Sequence, residues 1–467
     1  MKRSIYFVVS VLFVLAAAFP GIQSQDPRLK NAFRRPVQNG WLSVHLQGAP
    51  HQIGFQHGFL LSTEIKEAFA AIKLELTHET NKDWAFFRDA AQNILWPRVE
   101  REYREELQGI VEGLNAKNAD MDLWDLTAMN AFLEMFNYAD SLAKQDKLTD
   151  PSRLPVMAER CSAFVATGSY TKDGRVVIAH NTWTYYLDGR HWNIIYDIVP
   201  EKGYRILMDG VPGLIHSGDD FGMNSAGILI TETSISGYSG WTSEGIPEFV
   251  RARKAMQYSA SVDDFDRIMR TGNNGGYANN WLVADRKNNE IASLELGLKN
   301  VTLLRSTDGY FCGANVPVNK KLIQEETHFD PSDPSLSANA RRVRWEGLMA
   351  EFRGKIDVAT GKKFLSDHWD TFEKKESPSE RTLCGHVDLS PRGMSSYGPY
   401  APFGVTQAKI ADAAMAERMS LWGAIGSPCG IDFKAAPHLR LHPEFNWQKN
   451  LLRDIDSRPW TLFEAAK

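Results

Sequence analysis

A thiol and an imidazole bracket the most informative stretch of this 467-residue chain, CSAFVATGSYTKDGRVVIAHNTW, from Cys161 to Trp183. Cys161 heads an apolar, β-branched run, Ser162–Thr167. A turn cluster follows over Gly168–Gly174, and a second apolar run, Arg175–Ala179, leads into His180-Asn181. The pattern predicts a β-hairpin that folds the ends of its two strands, Cys161 and His180, toward each other. Taken alone it also fits a structural cysteine and a hydrogen-bonded core histidine. The residues upstream favour chemistry. Positions 138–160, YADSLAKQDKLTDPSRLPVMAER, are polar, charged and proline-containing, as in an exposed linker, and run straight into Cys161. A chain cut between Arg160 and Cys161 needs such an approach.

The cut would leave a free α-amine and a thiol on one residue. Their ordinary pKa values are about 7.7–8.0 and about 8.5, so near neutrality the amine can take the thiol proton. The thiolate would attack an acyl carbon in an amide or ester. The resulting oxyanion would need fixed donors. Asn181, Ser234, Asn279-Asn280 and Asn315 are the candidates.

Several elements must position these groups. In Gly48–Ile65, GAPHQIGFQHGFLLSTEI, Gly54 and Gly58 share one helical face and suit close packing against another element. Glu100–Leu114 and Asp122–Phe136 have helical periodicity. Beyond the hairpin, strands are expected at Asn193–Val199, Arg205–Asp209 and Gly227–Thr233. Helices are expected at Glu248–Tyr258 and Val262–Arg270, then a strand pair at Asn279–Asp285 and Glu290–Leu296. Ser337–Phe352 reads as a basic helix and Gln407–Leu421 as another. The order of helices, strands, helices and strands predicts an α+β body layered αββα, with a helical N-terminal segment.

Lys2-Arg3 and the apolar Ile5–Phe19 predict a signal peptide over residues 1–24, cut after Ser24 or after Ala18. The remainder divides into a helical N-terminal part (25–137), a linker cut or removed on maturation (138–160) and a nucleophile-bearing body (161–467). A net charge of −4 gives no reason to expect a nucleic-acid partner. The four cysteines do not make a disulfide scaffold; if one pair forms, Cys384–Cys429 is favoured. No cofactor is expected, and no metal: Asp219-Asp220 lack a partner at ligand spacing, and His216 and His386 read as structural.

The runs CSAF…VVIAHNTW, PGLIHSGDDF, GILITETSI and GYANNWLVAD, in that order, resemble the phospholipase B-like family. More distantly they resemble the isopenicillin N acyltransferases and the bile-salt and penicillin V hydrolases. GFQHG at Gly54–Gly58 and DLSP…PFGVTQAKI extend the likeness along nearly all of the mature chain. The resemblance implies a self-cleaving N-terminal-nucleophile hydrolase built as an αββα sandwich. By position it implies Cys161 as nucleophile, His180 beside it, Ser234 as the hydroxyl after Thr-Glu-Thr and Asn315 as the oxyanion-type amide. A family arginine falls on Arg341, with Arg342 in the neighbouring register. His180 stands near where bile-salt hydrolases use Asp. The implied substrate is a phospholipid, with a small N-acyl compound or peptide as the enzymatic alternative and a weakly catalytic lipid-binding protein as the other. A lipid substrate would call for transient contact with a membrane surface. The signal peptide implies a secreted, periplasmic or lysosomal location, depending on host. Trp183, Tyr185, Tyr186, Trp192, Tyr277 and Trp281 would line an acyl pocket or belong to the core.

Overall fold

The hairpin forms as expected: in the computed structural model, strands Ser162–Thr167 and Val177–Tyr185 pair antiparallel. Residues 26–145, 161–218, 221–394 and 397–467 are described. The expected signal peptide, residues 146–160 with Arg160 of the expected cut, and Asp219-Asp220 lie outside the described residues.

The register corrects one expectation. Ser162 pairs with Asn181 and Ala163 with His180, so His180 lies inside its strand rather than at its end. The β-branched and aromatic run Thr182–Tyr185 fits a pleat and extends the strand. Phe403–Asp412 then pairs along its whole length. Continued by one step, the register puts Thr182 opposite Cys161.

Side chains of the hairpin alternate between two cores, as period-two geometry requires. Ala163, Val165 and Ile178 point at a second sheet, nine-stranded among the described residues, and meet Leu207, Leu229 and Leu282. Phe164, Val177 and Ala179 point the other way, under Trp345, Leu348 and Phe364 of the helices Ser337–Glu351 and Val358–Leu365. Among the described residues the hairpin's own sheet has six strands, in the order Gly309–Gly313, Ser162–Thr167, Val177–Tyr185, Phe403–Asp412, Ser420–Ile425, Thr461–Glu464. The outer face of the nine-stranded sheet is covered by the N-terminal helices and by Glu248–Tyr258 and Val262–Arg270. The layers are therefore helix, sheet, sheet, helix, which is the αββα arrangement expected.

The N-terminal part is built into this body. Leu42–Gly48 runs parallel to Ile194–Pro200 within the nine-stranded sheet. The helix Pro50–Leu60 crosses Arg101–Asn115 so closely that a Cβ on Gly54 would stand 1.9 Å from Glu106 O, and one on Gly58 2.0 Å from Ile110 O. Gly109 and Gly113 return the same fit, at 2.2 Å from His51 O and 2.4 Å from Phe55 O. The close-packing role read from Gly54 and Gly58 is thus met by a second glycine pair. His57 Nε2 accepts from Gly213 N at 2.9 Å, while Asn130 Nδ2 donates to Gly213 O at 2.9 Å. Both hold the loop that carries PGLIH.

Three element expectations change. Residues 138–145, read as linker, continue the helix Phe132–Gln145; Tyr138, Ala139 and Asp140 are buried, and from residue 138 the first proline is Pro151. The single helix expected over Asp122–Phe136 breaks at Ala131. There Asn130 turns its amide to Gly213 O and accepts from Ile215 N at 2.8 Å. Gln407–Leu421, read as a helix, is the end of the strand Phe403–Asp412, a short helix Ala413–Glu417, and the start of Ser420–Ile425. Burial on both faces overrides the helical spacing of its apolar residues. Among the described residues no helix is long and apolar enough to cross a membrane.

Candidate active site

Cys161 is buried at the head of its strand, with φ at 79°, a left-handed conformation that side-chain-bearing residues rarely adopt. Its carbonyl accepts from Arg341 Nη1 at 2.6 Å. The same nitrogen reaches Ser162 Oγ at 3.1 Å, Nη2 donates to Asn315 Oδ1 at 2.8 Å, and Nε donates to Ser337 Oγ at 3.0 Å. The guanidinium lies over the Trp183 ring, 4.4 Å from its centroid. Arg341 is wholly buried, and a buried cation is tolerated only with its hydrogen bonds satisfied. The planar donor set of an arginine suits several fixed acceptors at once; a lysine could not reproduce it. The register question is answered by Arg342, whose Nη1 goes to Glu346 Oε1 on the exposed face, at 2.6 Å.

Asn315 links this arginine to Ser234. It follows Gly309–Gly313 with φ at 67°. Its Nδ2 donates to Ser234 O at 2.8 Å and Ser234 Oγ at 3.1 Å, and its carbonyl accepts from Ser236 N at 2.9 Å. Cys161, Arg341, Asn315 and Ser234 therefore form one buried network. Ser162 and Ser337 belong to it and were not singled out in the sequence, because a serine hydroxyl gives no signal until its partner across space is known.

His180 belongs to a neighbouring polar cluster between the sheets. Its Nδ1 is 3.5 Å from Thr182 Oγ1. Lys409 stands opposite His180 in the register, donates to Thr182 Oγ1, and pairs with Asp209 Oδ2 at 3.0 Å, both charges fully buried. Burial first, and then the Lys409 charge, push the His180 pKa well down, so the imidazole is neutral. The Lys409–Asp209 pair escapes the sequence because the spacing places Lys409 on a helix, where a lysine is unremarked. Read as a strand, a lysine inside FGVTQAKIAD is a buried charge in search of a partner.

The other amides have structural partners. Asn181 Nδ2 donates to Leu365 O at 2.8 Å and Leu383 O at 2.9 Å, and Asn280 Oδ1 accepts from Ser293 Oγ at 2.6 Å. The six aromatics are core: Trp183, Tyr185 and Tyr186 in one cluster, Trp192, Tyr277 and Trp281 in another. A cavity of about 430 Å³ adjoins the network through Ser236 and Ser337 and carries Phe329, Glu380, Arg381 and Arg392 on its walls. A larger concavity of about 900 Å³, at Arg190, Leu439 and Arg453, shares no residue with the network.

The sequence profile of the family described as Phospholipase B matches residues 62–324, which take in Cys161, His180, Ser234 and Asn315. The chain belongs to the phospholipase B family. Its similarity to curated proteins is low but long. It is 21% identical to a phospholipase B of Crotalus adamanteus over 75% of this chain and 67% of the relative. Identity to the putative phospholipase B-like 2 of Rattus norvegicus is 27%, over 62% of this chain and 55% of the relative. An uncharacterised protein of Archaeoglobus fulgidus is 23% identical over 61% of this chain and 48% of its own length. The chain thus spans about half to two thirds of the length of these three relatives. Among solved structures, a variant of the conjugated bile acid hydrolase of Clostridium perfringens aligns with 66% of this chain and 98% of its own, at 11% identity and a TM-score of 0.35. Arg341 lies beyond the matched family segment, so its place in the site rests on the geometry alone.

Proposed function

We propose that this phospholipase B family member is an exported acyl hydrolase that uses Cys161 as an N-terminal nucleophile against phospholipid esters. The observation that carries the reading is the buried network in which Arg341 holds the Cys161 carbonyl and the Ser162 hydroxyl while bonding Asn315. A structural cysteine needs no such fixing of its backbone. The left-handed φ of Cys161 supports a cut at its amino side, since such conformations cost about 1–3 kcal/mol and collect at functional sites.

In maturation the Cys161 thiol adds to the Arg160 carbonyl carbon, the C–N bond breaks to free the α-amine, and water hydrolyses the thioester to release the thiol and the Arg160 carboxylate. In turnover the amine takes the thiol proton and the sulfur attacks the acyl carbon. The leaving alcohol departs with the proton returned by the ammonium. Water then cleaves the acyl-thioester to a fatty acid. Arg341 acts as a positioning residue, fixing the Cys161 backbone. Asn315 and Ser234 stand where polar groups could be turned to the oxyanion. The adjoining cavity gives a substrate room beside the network; Arg381 and Arg392 on its wall are each ion-paired to Glu373 and Glu380.

The test joins processing to trapping. Purified protein is followed by intact mass and N-terminal sequencing, then offered phospholipid esters and N-acyl amides of the same chain length. The expected result is a fragment beginning at Cys161 and a thioester on that residue from the esters. A thioester from the amides alone would make it an amidase. Cleavage with no thioester from either would leave a binding protein.

A further inference from the structure

On the outer side of the hairpin sheet, four side chains that the catalytic reading does not use converge on one point. They are His368, Cys384, His386 and Cys429, whose ligand atoms all lie within 4.8 Å of one another. Cys384 Sγ is 3.6 Å and Cys429 Sγ 3.5 Å from the same nitrogen, His386 Nε2. A tetrahedral ion with sulfur at about 2.3 Å and nitrogen at about 2.0–2.1 Å holds neighbouring S and N atoms about 3.5–3.6 Å apart. The two imidazole rings meet edge to face, with centroids 5.2 Å apart. His368 Nε2 is buried and has no hydrogen-bond partner among the described residues. We propose that His368, Cys384, His386 and Cys429 bind a zinc-type divalent cation that staples three loops to the strand beneath the active site.

The donor set selects the ion. Two thiolates and two imidazoles in a tetrahedron suit zinc, and four protein ligands leave no open position, so the role is structural. The backbone presents the ligands before any ion arrives. Cys384 N donates to Asp367 O at 3.1 Å, His386 N to Ser379 O at 3.0 Å, and Val405 N to Gly385 O at 3.0 Å. Gly385, between two of the ligands, packs so tightly on Trp183 that a Cβ would come within 2.0 Å of its ring. Cys429 stands in a turn closed by Gly430 N to Ser427 O at 3.0 Å, and Ser427 Oγ bonds Val405 O at 3.3 Å. Behind His386, its Nδ1 is 3.8 Å from Asp388 Oδ1, which accepts from Tyr186 OH at 2.8 Å. A carboxylate behind a ligating histidine orients the ring.

The site would act on the catalytic network through two contacts. Trp183, clamped by Gly385, carries the Arg341 guanidinium on its ring, and Asn181 is bonded to Leu383 O beside Cys384. Cys384 and Cys429 are free thiols here, so the pair favoured from the sequence comes together around a histidine instead of as a disulfide. A disulfide between them would leave His368 Nε2 buried and unanswered.

The test uses the full chain purified without chelator from zinc-supplemented medium. Atomic emission should find about one zinc per chain, released when a mercurial reagent blocks the thiols. Reconstitution with cobalt should give thiolate-to-metal and tetrahedral d–d absorption bands. Cys429→Ser and His368→Ala should each lower the metal content at least tenfold and change the cobalt spectrum. Either variant, if it fails to fold, leaves the wild-type stoichiometry and spectrum to decide. Wild type with less than about a tenth of a zinc per chain and no cobalt bands would overturn the proposal. So would a peptide map showing Cys384 joined to Cys429 by a disulfide in the secreted protein.

Discussion

Removing the Cys161 thiol and loosening the group that holds its carbonyl should leave different traces. Cys161→Ala is expected to remain one uncut chain at its full mature mass, because no other thiol stands at that bond. Arg341→Lys keeps the charge but loses the planar donor set that spans Cys161 O, Ser162 Oγ, Asn315 and Ser337. A hydrogen bond to a charged group is worth about 1.5–3 kcal/mol, so maturation should slow roughly 10- to 100-fold. Gel-based half-times of cutting measure this, and a rate equal to wild type would leave Arg341 a packing residue. His180→Ala should slow cutting or acyl transfer by roughly 10²–10⁴-fold if the imidazole serves the reaction. Burial holds that imidazole neutral, so the wild-type rate should follow an α-amine near pH 7.7–8.0 and show no histidine inflection between pH 5 and 7. At this scale much was legible: the family resemblance pointed to Cys161, Asn315, Ser234 and Arg341, which the structure joins, and to His180, which lies in the neighbouring cluster. Ser162 and the Lys409–Asp209 pair were not, because each acquires meaning only from a partner on a different strand or helix; Ser337 was not either, although Arg341 stands one turn along the same helix.

At the scale of elements, the glycine crossing between Pro50–Leu60 and Arg101–Asn115 makes the sharpest case. A methyl group on Gly58 would fall 2.0 Å from Ile110 O, and backbone cannot move aside as a flexible side chain can. Gly58→Ala should therefore destabilise the protein by about 1–3 kcal/mol or more, the usual cost of overpacking. Gly347 is the matched control. It sits in the helix Ser337–Glu351 with nothing within 4 Å of the place a methyl group would take, and Gly347→Ala should stabilise by up to about 1 kcal/mol through helix propensity. Urea midpoints of the two variants should move in opposite directions; a neutral Gly58→Ala would mean that the crossing is looser than its distances. Helices with a polar side, such as Val262–Arg270, and strands bounded by a clear turn, such as Asn279–Asp285 and Glu290–Leu296, were legible from spacing. Phe403–Asp412 was not, because a strand buried on both faces loses the alternation that marks a strand. The end of Phe132–Gln145 was not either, because Tyr138–Gln145 looks polar until the partners that bury Tyr138 and Asp140 are known.

For the whole molecule, buried titratable groups set the response to pH, and they pull in opposite directions. His57 is buried in the N-terminal helices, and its Nε2 accepts from Gly213 N, a bond the protonated ring cannot make. Burial lowers its pKa to about 3. The folded state therefore binds fewer protons than the unfolded chain below about pH 6.5, and the stability present above that pH is lost as pH falls. Glu134, buried beside Glu248, has the reverse sign: burial first, then the Glu248 charge, raise it to about 7. Its folded state holds a proton that the unfolded chain releases above about 4.5, so its contribution is full below that pH and is lost as pH rises to 7. Each changes stability by about 1.4 kcal/mol per pH unit inside its window. Between pH 4.5 and 6.5 the two offset each other. Below 4.5 His57 acts unopposed, and Asp197 joins it. That carboxylate is held at about 2 against its burial by His45 and Arg205, so its contribution is lost as pH falls through the range below 3.8. Thermal melts should then fall steeply below pH 4.5. His57→Gln keeps a hydrogen-bond acceptor but cannot titrate, so it should flatten the acid limb. Glu134→Gln removes the offsetting group, so the melting temperature should rise more between pH 5 and 7 than it does in wild type. Parallel curves for wild type and Glu134→Gln would show that the Glu134 carboxyl titrates alike in the folded and unfolded chain, and that the polar cluster around it is wetter than its burial implies.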